Sequence, residues 1–273
     1  MNQPPTITVC SGNDAWDLIW RWTWFARDLW KSRFRKDNEE TIGALNSLLA
    51  TLGARAVLDA SCGLGRKTIA LAEKGYEVQG SDASRYAVTQ ATQLAGDEGI
   101  TIRFFQSLWD ELPSRAGREY DCVYNDSFSW IGERQGLESA ATGAYCVLRP
   151  GGVLVFDGTE VNEWSPSPDR DALIERQLKE EGLFDALPPY EKDGVRLVVI
   201  ICREKTPDGI LGHRLHIIEE RGEVRIEVAS VMDLLKWTWR DYEAALAAAG
   251  FRRFYSVRVQ DTNGPHALNL AVK

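Results

Sequence analysis

The sequence predicts an α/β fold built on a doubly wound, seven-stranded, mostly parallel sheet. Three observations carry this. Short apolar strands alternate with helical stretches from Ala56 to Asp157. The first strand, Ala56–Ala60, runs straight into a glycine turn, Ser61-Cys62-Gly63-Leu64-Gly65, and a helix begins at Arg66. A Leu148-Arg149-Pro150-Gly151-Gly152 turn stops the last helix before the fifth strand.

Taken in order, Asp14–Arg35 reads as a helix rich in tryptophan. Glu39–Leu52 reads as a second helix, with Gly53 in the usual stop position. After the first strand come a helix at Arg66–Lys74, a strand at Tyr76–Asp82 and a helix at Arg85–Asp97 capped by Ser84. Strands follow at Thr101–Phe105 and Tyr120–Asn125, then a helix over Glu133–Leu148 and a strand at Val153–Asp157. The alternation then stops. A polar loop (Gly158–Arg170) and a charged helix (Asp171–Glu181) lead to strands at Val195–Arg203, His213–Glu220 and Val224–Val231. Their short turns predict an antiparallel lobe. A helix at Trp239–Ala249 and strands at Phe251–Val259 and Ala267–Val272 complete the main sheet, the last two as an edge hairpin. The expected organisation is an N-terminal helical arm (1–53), a core made of 54–157 and 237–273, and an inserted antiparallel lobe (158–236).

The chain has 273 residues, 44% hydrophobic and 26% charged, with a formal net charge of −8. An acidic balance argues against a nucleic-acid partner, because a phosphate backbone needs a basic face. No stretch approaches the length of a membrane span, and the N-terminus lacks the basic and apolar segments of a secretory signal. The five cysteines are read as reduced thiols and the three histidines lack a metal-ligand spacing, so the expectation is a cytoplasmic protein with no metal. A homo-oligomer is compatible with everything in the sequence.

The glycine turn is the candidate site. Gly63 and Gly65 admit close backbone approach, as in nucleotide-type sites of open α/β sheets. A dinucleotide loop takes a third glycine and bare N–H groups facing a pyrophosphate. Here Thr68 replaces that glycine, and Asp59 ends the strand just before the turn. A carboxylate repels a diphosphate and attracts a ligand bearing an ammonium and a sulfonium. The residues therefore favour S-adenosylmethionine over NAD.

On the block Val57–Gly65, the acidic strand end at Asp82 and the turn at Leu148–Gly152, the chain resembles class I S-adenosylmethionine-dependent methyltransferases. The likeness covers roughly Leu48 to Phe156 and the elements after Trp239. Ser81-Asp82-Ala83-Ser84, Trp109 and Asp126-Ser127-Phe128 are similar to the glycine N-methyltransferase-like group. The resemblance implies that Asp82 accepts the ribose hydroxyls and that Ala83 lies beside the adenine. It also implies that Ser107, Leu108 and Trp109 line the adenine pocket, and that Asp59, Ser61 and the glycines hold the methionine end. Asn125 and Asp126 would offer backbone carbonyls to the methionine ammonium, and Arg33 or Arg35 of the arm would pair with its carboxylate.

Bland readings stand beside these. Asp82 also suits a helix cap, Asn125 and Asp126 a polar turn, Trp109 simple packing, and Arg33 and Arg35 a solvated surface. Trp16, Trp20 and Trp24 recur every four residues, so they share a helix face. That face serves either packing or an aromatic wall for a cationic acceptor. Such a wall would place Trp20 and Trp24, with Ser127 and Glu160, on the acceptor. Where the glycine N-methyltransferases carry a substrate-gripping arginine after the fifth strand, this chain reads Asp157-Gly158-Thr159-Glu160. The expected reaction is methylation of a small molecule at an amine nitrogen, with Tyr124, Asp126 or Glu160 as candidate proton acceptors. O-methylation and a catalytically idle S-adenosylmethionine-binding regulator are the alternatives.

Overall fold

The computed structural model describes residues 4–158, 170–207, 209–232, 237–261 and 264–273, with side chains described outside 30–40, 170, 259–261 and 264–267. The chain begins with β1 (Thr6–Ser11), α1 (Gly12–Phe25) and α2 (Arg27–Leu52). The alternating region follows as β2 (Ala56–Asp59), α3 (Arg66–Glu73), β3 (Glu77–Asp82), α4 (Arg85–Asp97), β4 (Arg103–Gln106), α5 (Leu112–Arg115), β5 (Tyr120–Asn125), a 3-10 turn (Phe128–Trp130), α6 (Arg134–Val147) and β6 (Leu148–Phe156). Next come α7 (Arg170–Glu181), β7 (Phe184–Ala186), β8 (Tyr190–Lys192), β9 (Val195–Thr206), β10 (Gly209–Glu220) and β11 (Glu223–Met232). The last elements are α8 (Trp239–Ala249), β12 (Arg253–Asp261) and β13 (Gly264–Val272).

The main sheet has seven strands in the order β12-β13-β6-β5-β2-β3-β4. The five from β6 to β4 run parallel, and β13 and β12 close the edge as the expected antiparallel hairpin. Val57, Leu58, Val123, Leu154 and Val155 are fully buried, because helices cover both faces of the sheet. One face packs on α6 and α8 through residues such as Leu137, Ala144 and Leu246. The other packs on α2 and α3 through Leu45, Leu49 and Leu71. Chain order reverses between β2 and β5, so the ends of those strands open a crevice at the switch point. Leu148–Gly152, expected as a turn before the strand, instead forms the first part of β6, at the end opposite the crevice, with a register irregularity against β5 between Tyr120 and Cys122. There Asp121 accepts from the Arg55 and Ala56 amides at 2.6 and 2.8 Å and pairs with Arg149.

A second sheet runs β1-β11-β10-β9-β7, with β8 also on β9. Its antiparallel core matches the predicted strands, but three features escape the periodicity. β1 joins it, running parallel to β11, and β7 and β8 are three-residue strands on β9. The tryptophan-rich helix also breaks earlier than its pattern suggests, at Ala26 (φ −94°, ψ 27°). The break has a packing cause. Ala15, Leu18, Ile19 and Trp22 of α1 bury against Leu197, Val199, Ile218 and Ala229 of the second sheet, whereas Leu45 and Leu49 of α2 bury against the main sheet. One straight helix cannot serve both.

Candidate active site

Four carboxylates end the strands around the crevice. Asp59 closes β2, Asp82 closes β3, Asp126 follows β5 and Asp157 follows β6. Asp59 is 1% exposed; its Oδ2 accepts from Thr68 Oγ1 at 2.7 Å, while Oδ1 is buried with no hydrogen-bond partner among the described residues. Burial and the nearby charge of Asp126 hold this carboxyl above the ordinary range. Asp82 accepts from the Gly63 amide through Oδ2 and from the Ser84 amide through Oδ1, each at 2.9 Å. Burial outweighs those two bonds and raises its carboxyl to about 6. Asp157 accepts from the Ser129 amide at 3.1 Å and from the Ser129 hydroxyl, and burial raises it likewise to about 6.

Lys67, in the first turn of α3, forms an ion pair with Asp126. Burial is the largest influence and works against its charge, but Asp126, Tyr124 and Asp59 together outweigh it and hold the ammonium protonated. Sequence reasoning missed Lys67. The available signal was a lysine beside the positive end of a helix, a placement that only a nearby carboxylate offsets. Asp17, Trp130 and Ser129 were likewise not singled out, and they bear on the site only through tertiary contacts.

The sequence-derived residues fall as follows. Gly63 and Gly65 are left-handed, with φ of 51° and 77°. A Cβ on Gly63 would stand 2.7 Å from the Trp20 ring, and one on Gly65 would stand 2.9 Å from Ala91 and Phe104. Ser61 Oγ lies 3.1 Å from Asn125 Oδ1, which also accepts the Ser127 amide at 2.9 Å. The Ala83 carbonyl accepts from Gln106 Nε2 at 3.0 Å, and the Ser107 amide donates to the Asp82 carbonyl at 3.0 Å. Leu108 is 42% exposed beside them. Trp109 donates its indole N–H to the Ala60 carbonyl at 3.2 Å and packs on the main core. Tyr124 is buried in the α2-side core, and burial and Asp126 push its phenol far above the ordinary range.

The tryptophan stripe divides. Trp20 lies on Gly63, stacks on Trp16 with centroids 6.3 Å apart, and Trp16 meets Trp130 at 5.7 Å. One aromatic row thus runs from the glycine turn to the 3-10 turn after β5. Trp24 instead lies under Arg27 at 4.7 Å and lines a cleft of about 400 Å³ with Arg21, Phe25, Tyr86 and Lys192. Glu160 lies outside the described residues, as do the side chains of Arg33 and Arg35, whose backbone is within α2.

The crevice can be tested against the two candidate ligands. A diphosphate needs bare loop amides and positive charge. Here the Gly63 amide is already donated to Asp82, and four carboxylates face one paired lysine. The buried, unpartnered Asp59 oxygen suits a ligand carrying N–H donors and positive charge. The residues present fit S-adenosylmethionine and do not fit a pyrophosphate.

This sheet order, with carboxylates at the tips of β2 and β3 beside a Gly-x-Gly turn, is the arrangement that the resemblance to class I S-adenosylmethionine-dependent methyltransferases implies. Residues 57–152 match the family described as a methyltransferase domain. Over 112 residues, 40% of its length, it is 31% identical to a glycine/sarcosine N-methyltransferase of Parasynechococcus marenigrum (strain WH8102), covering 40% of that protein. The match thus spans about two-fifths of this curated relative. A methyltransferase structure from Clostridium acetobutylicum superimposes with a TM-score of 0.66 at 16% identity, over 92% of this chain and 98% of that one. The sugar N-methyltransferase KedS8 from Streptoalloteichus gives 0.64 at 20% identity, over 90% and 92%. These structural likenesses establish the fold. Among the described residues no helix is long and apolar enough to cross a membrane.

Proposed function

We propose that this chain transfers a methyl group from S-adenosylmethionine to the amine nitrogen of a small molecule. The observation that carries the reading is the acidic crevice, where, among the described residues, four strand-tip carboxylates face one paired lysine and one Asp59 oxygen is buried without a partner. In this reading Asp82 takes the ribose hydroxyls, held in place by the Gly63 and Ser84 amides. Asp59, Ser61, Asn125 and the glycine turn receive the methionine end. Ala83, Ser107, Leu108 and Trp109 border the base, and Arg33 or Arg35 meets the carboxylate. The bound cofactor supplies an electrophilic methyl on a positively charged sulfur that departs as a neutral thioether.

Because the leaving group is neutral, the protein needs no general acid. Its task is to hold a lone pair in line, which contributes up to about 7–11 kcal/mol in favourable cases. Trp20, Trp16 and Trp130 form the acceptor wall, and their π faces favour an amine over an anion. Ser127 borders that wall from the turn after β5, and Glu160 and Trp24 keep their assignment to the acceptor. Asp126, bound to Lys67, contributes charge at the acceptor side rather than a free base. Tyr124 remains protonated at neutral pH because of its burial, so the acceptor nitrogen reaches the crevice already neutral. Two of the three proteins compared above support nitrogen, since they are named as N-methyltransferases, one of glycine and sarcosine and one of sugars.

Release of S-adenosylhomocysteine over a panel of small amines, phenols and carboxylates tests the assignment. Turnover confined to amines is the expected result. Turnover confined to phenols or carboxylates overturns the nitrogen assignment. Silence across the panel despite tight S-adenosylmethionine binding leaves a binding protein instead.

A further inference from the structure

Helix α1 touches the crevice at two points three residues apart. At the first, the Ser84 hydroxyl donates to Asp17 Oδ1, and the Tyr86 amide approaches the same oxygen at 3.4 Å. Ser84 caps α4, its Oγ accepting from the Ala87 amide at 3.0 Å. The Asp17 carboxylate therefore meets the positive end of a helix that belongs to another part of the chain. At the second point, the outer edge of the Trp20 ring lies so close to the glycine turn that a Cβ on Gly63 would stand 2.7 Å from it. The two points are joined underneath. Ser84 donates its amide to Asp82, and Asp82 accepts from Gly63. Asp17, Ser84, Asp82, Gly63 and Trp20 thus form a closed circuit of contacts, with the arm on one side and the ribose carboxylate on the other.

The opposite face of α1 is fixed to the second sheet through Ala15, Leu18, Ile19 and Trp22, and Trp22 donates to Glu227 Oε2 at 2.7 Å. Whatever moves α1 therefore moves against the crevice as a packed unit. We propose that Asp17 is a positioning residue that latches α1 onto the ribose-binding turn, so that arm docking and donor binding form one coupled equilibrium. The proposal rests on the assignment of the crevice to S-adenosylmethionine. Asp17 touches no donor atom in this scheme. It acts through Ser84, fixing the turn that orients Asp82 and seating Trp20 against Gly63. By linkage, a donor that favours the docked arm is favoured by it to the same extent.

The test uses the full chain and S-adenosylhomocysteine, with calorimetry for affinity and amide hydrogen exchange for the arm. In the wild type the ligand should slow exchange across Gly12–Phe25. Asp17→Ala should weaken binding about tenfold and abolish that slowing, with Asp17→Asn intermediate because an acceptor oxygen remains. Ser84→Ala removes the donated hydroxyl while keeping Asp17, and should show the same signature if Asp17→Ala does not fold. Affinity within twofold of wild type, with the α1 response intact, overturns the latch. Asp82→Ala separates the two readings. If the wild type binds and Asp82→Ala does not, the donor site stands whatever Asp17 does. If the wild type itself fails to bind, the donor assignment falls and the latch falls with it.

Discussion

Asp82 and Gly63 are joined by a 2.9 Å hydrogen bond in which the glycine amide donates to the carboxylate. This bond ties the tip of β3 to the turn after β2 and uses the loop amide that a pyrophosphate would need. It also leaves the carboxylate oriented, with lone pairs remaining for the proposed ribose contact. Asp82→Ala should therefore weaken S-adenosylhomocysteine binding severely. Hydrogen bonds to a charged group are each worth about 1.5–3 kcal/mol, a factor of roughly 10–100. Calorimetry on the variant checks this, and an unchanged affinity would remove Asp82 from the site.

Gly63 answers to two constraints at once. Its φ of 51° is left-handed, which costs an L-residue about 1–2 kcal/mol, and a Cβ there would meet the Trp20 ring at 2.7 Å. Gly63→Ala should lower stability by the backbone term and also push the arm from the turn. Pairing it with Trp20→Ala in a double-mutant cycle separates the terms, because only the steric part is relieved. Strict additivity of the two substitutions in denaturant melts would show that the contact carries no energy.

The parallel core was legible because its strands are apolar runs bounded by glycines and helix caps. Ser84 caps α4 as its position suggested, and α8 spans Trp239–Ala249 with Gly250 as its stop. The break at Ala26 was not legible, since alanine favours helix and only the need to serve two sheets interrupts it. β1 was hidden for a similar reason: Thr6–Ser11 gains its strand state from pairing with β11, more than two hundred residues away. In the crevice, the acidic tips Asp59 and Asp82 announced themselves by following strands. Lys67 and Asp157 needed the fold, because their partners Asp126 and Ser129 come from the segment after β5.

The Lys67–Asp126 pair is a second point of stress in an acidic crevice. Their side chains are 22% and 26% exposed, so solvent screens the pair only in part. Lys67→Met should leave Asp126 uncompensated beside Asp59 and lower stability, by less than the roughly 3–5 kcal/mol typical of fully buried pairs. Adding Asp126→Asn should recover part of the loss, since the isolated carboxylate goes with it. A double variant no more stable than Lys67→Met alone, by chemical denaturation, would show that the pair is not the cause.

The same crowding of carboxylates sets a pH dependence whose sign can be worked out. Asp82 and Asp157 are raised from an ordinary 3.8 to about 6, and Asp59 is raised in the same direction by burial. Between the ordinary value and the raised one, the folded chain binds more protons than the unfolded chain. The stability these groups contribute is therefore fully present below the unfolded pKa and is lost as pH rises through the folded one. Over pH 5 to 7.5 the ligand-free protein should lose thermal stability, and Asp59→Asn should flatten that slope. A positively charged donor prefers the ionised carboxylates, so the thermal shift produced by S-adenosylmethionine should be larger at pH 7.5 than at pH 5. Thermal melts of wild type and Asp59→Asn across this range, with and without S-adenosylmethionine, decide the matter. A wild-type curve that rises with pH, or a ligand shift that shrinks, would mean these carboxylates are not the buried, mutually crowded groups that shape the crevice.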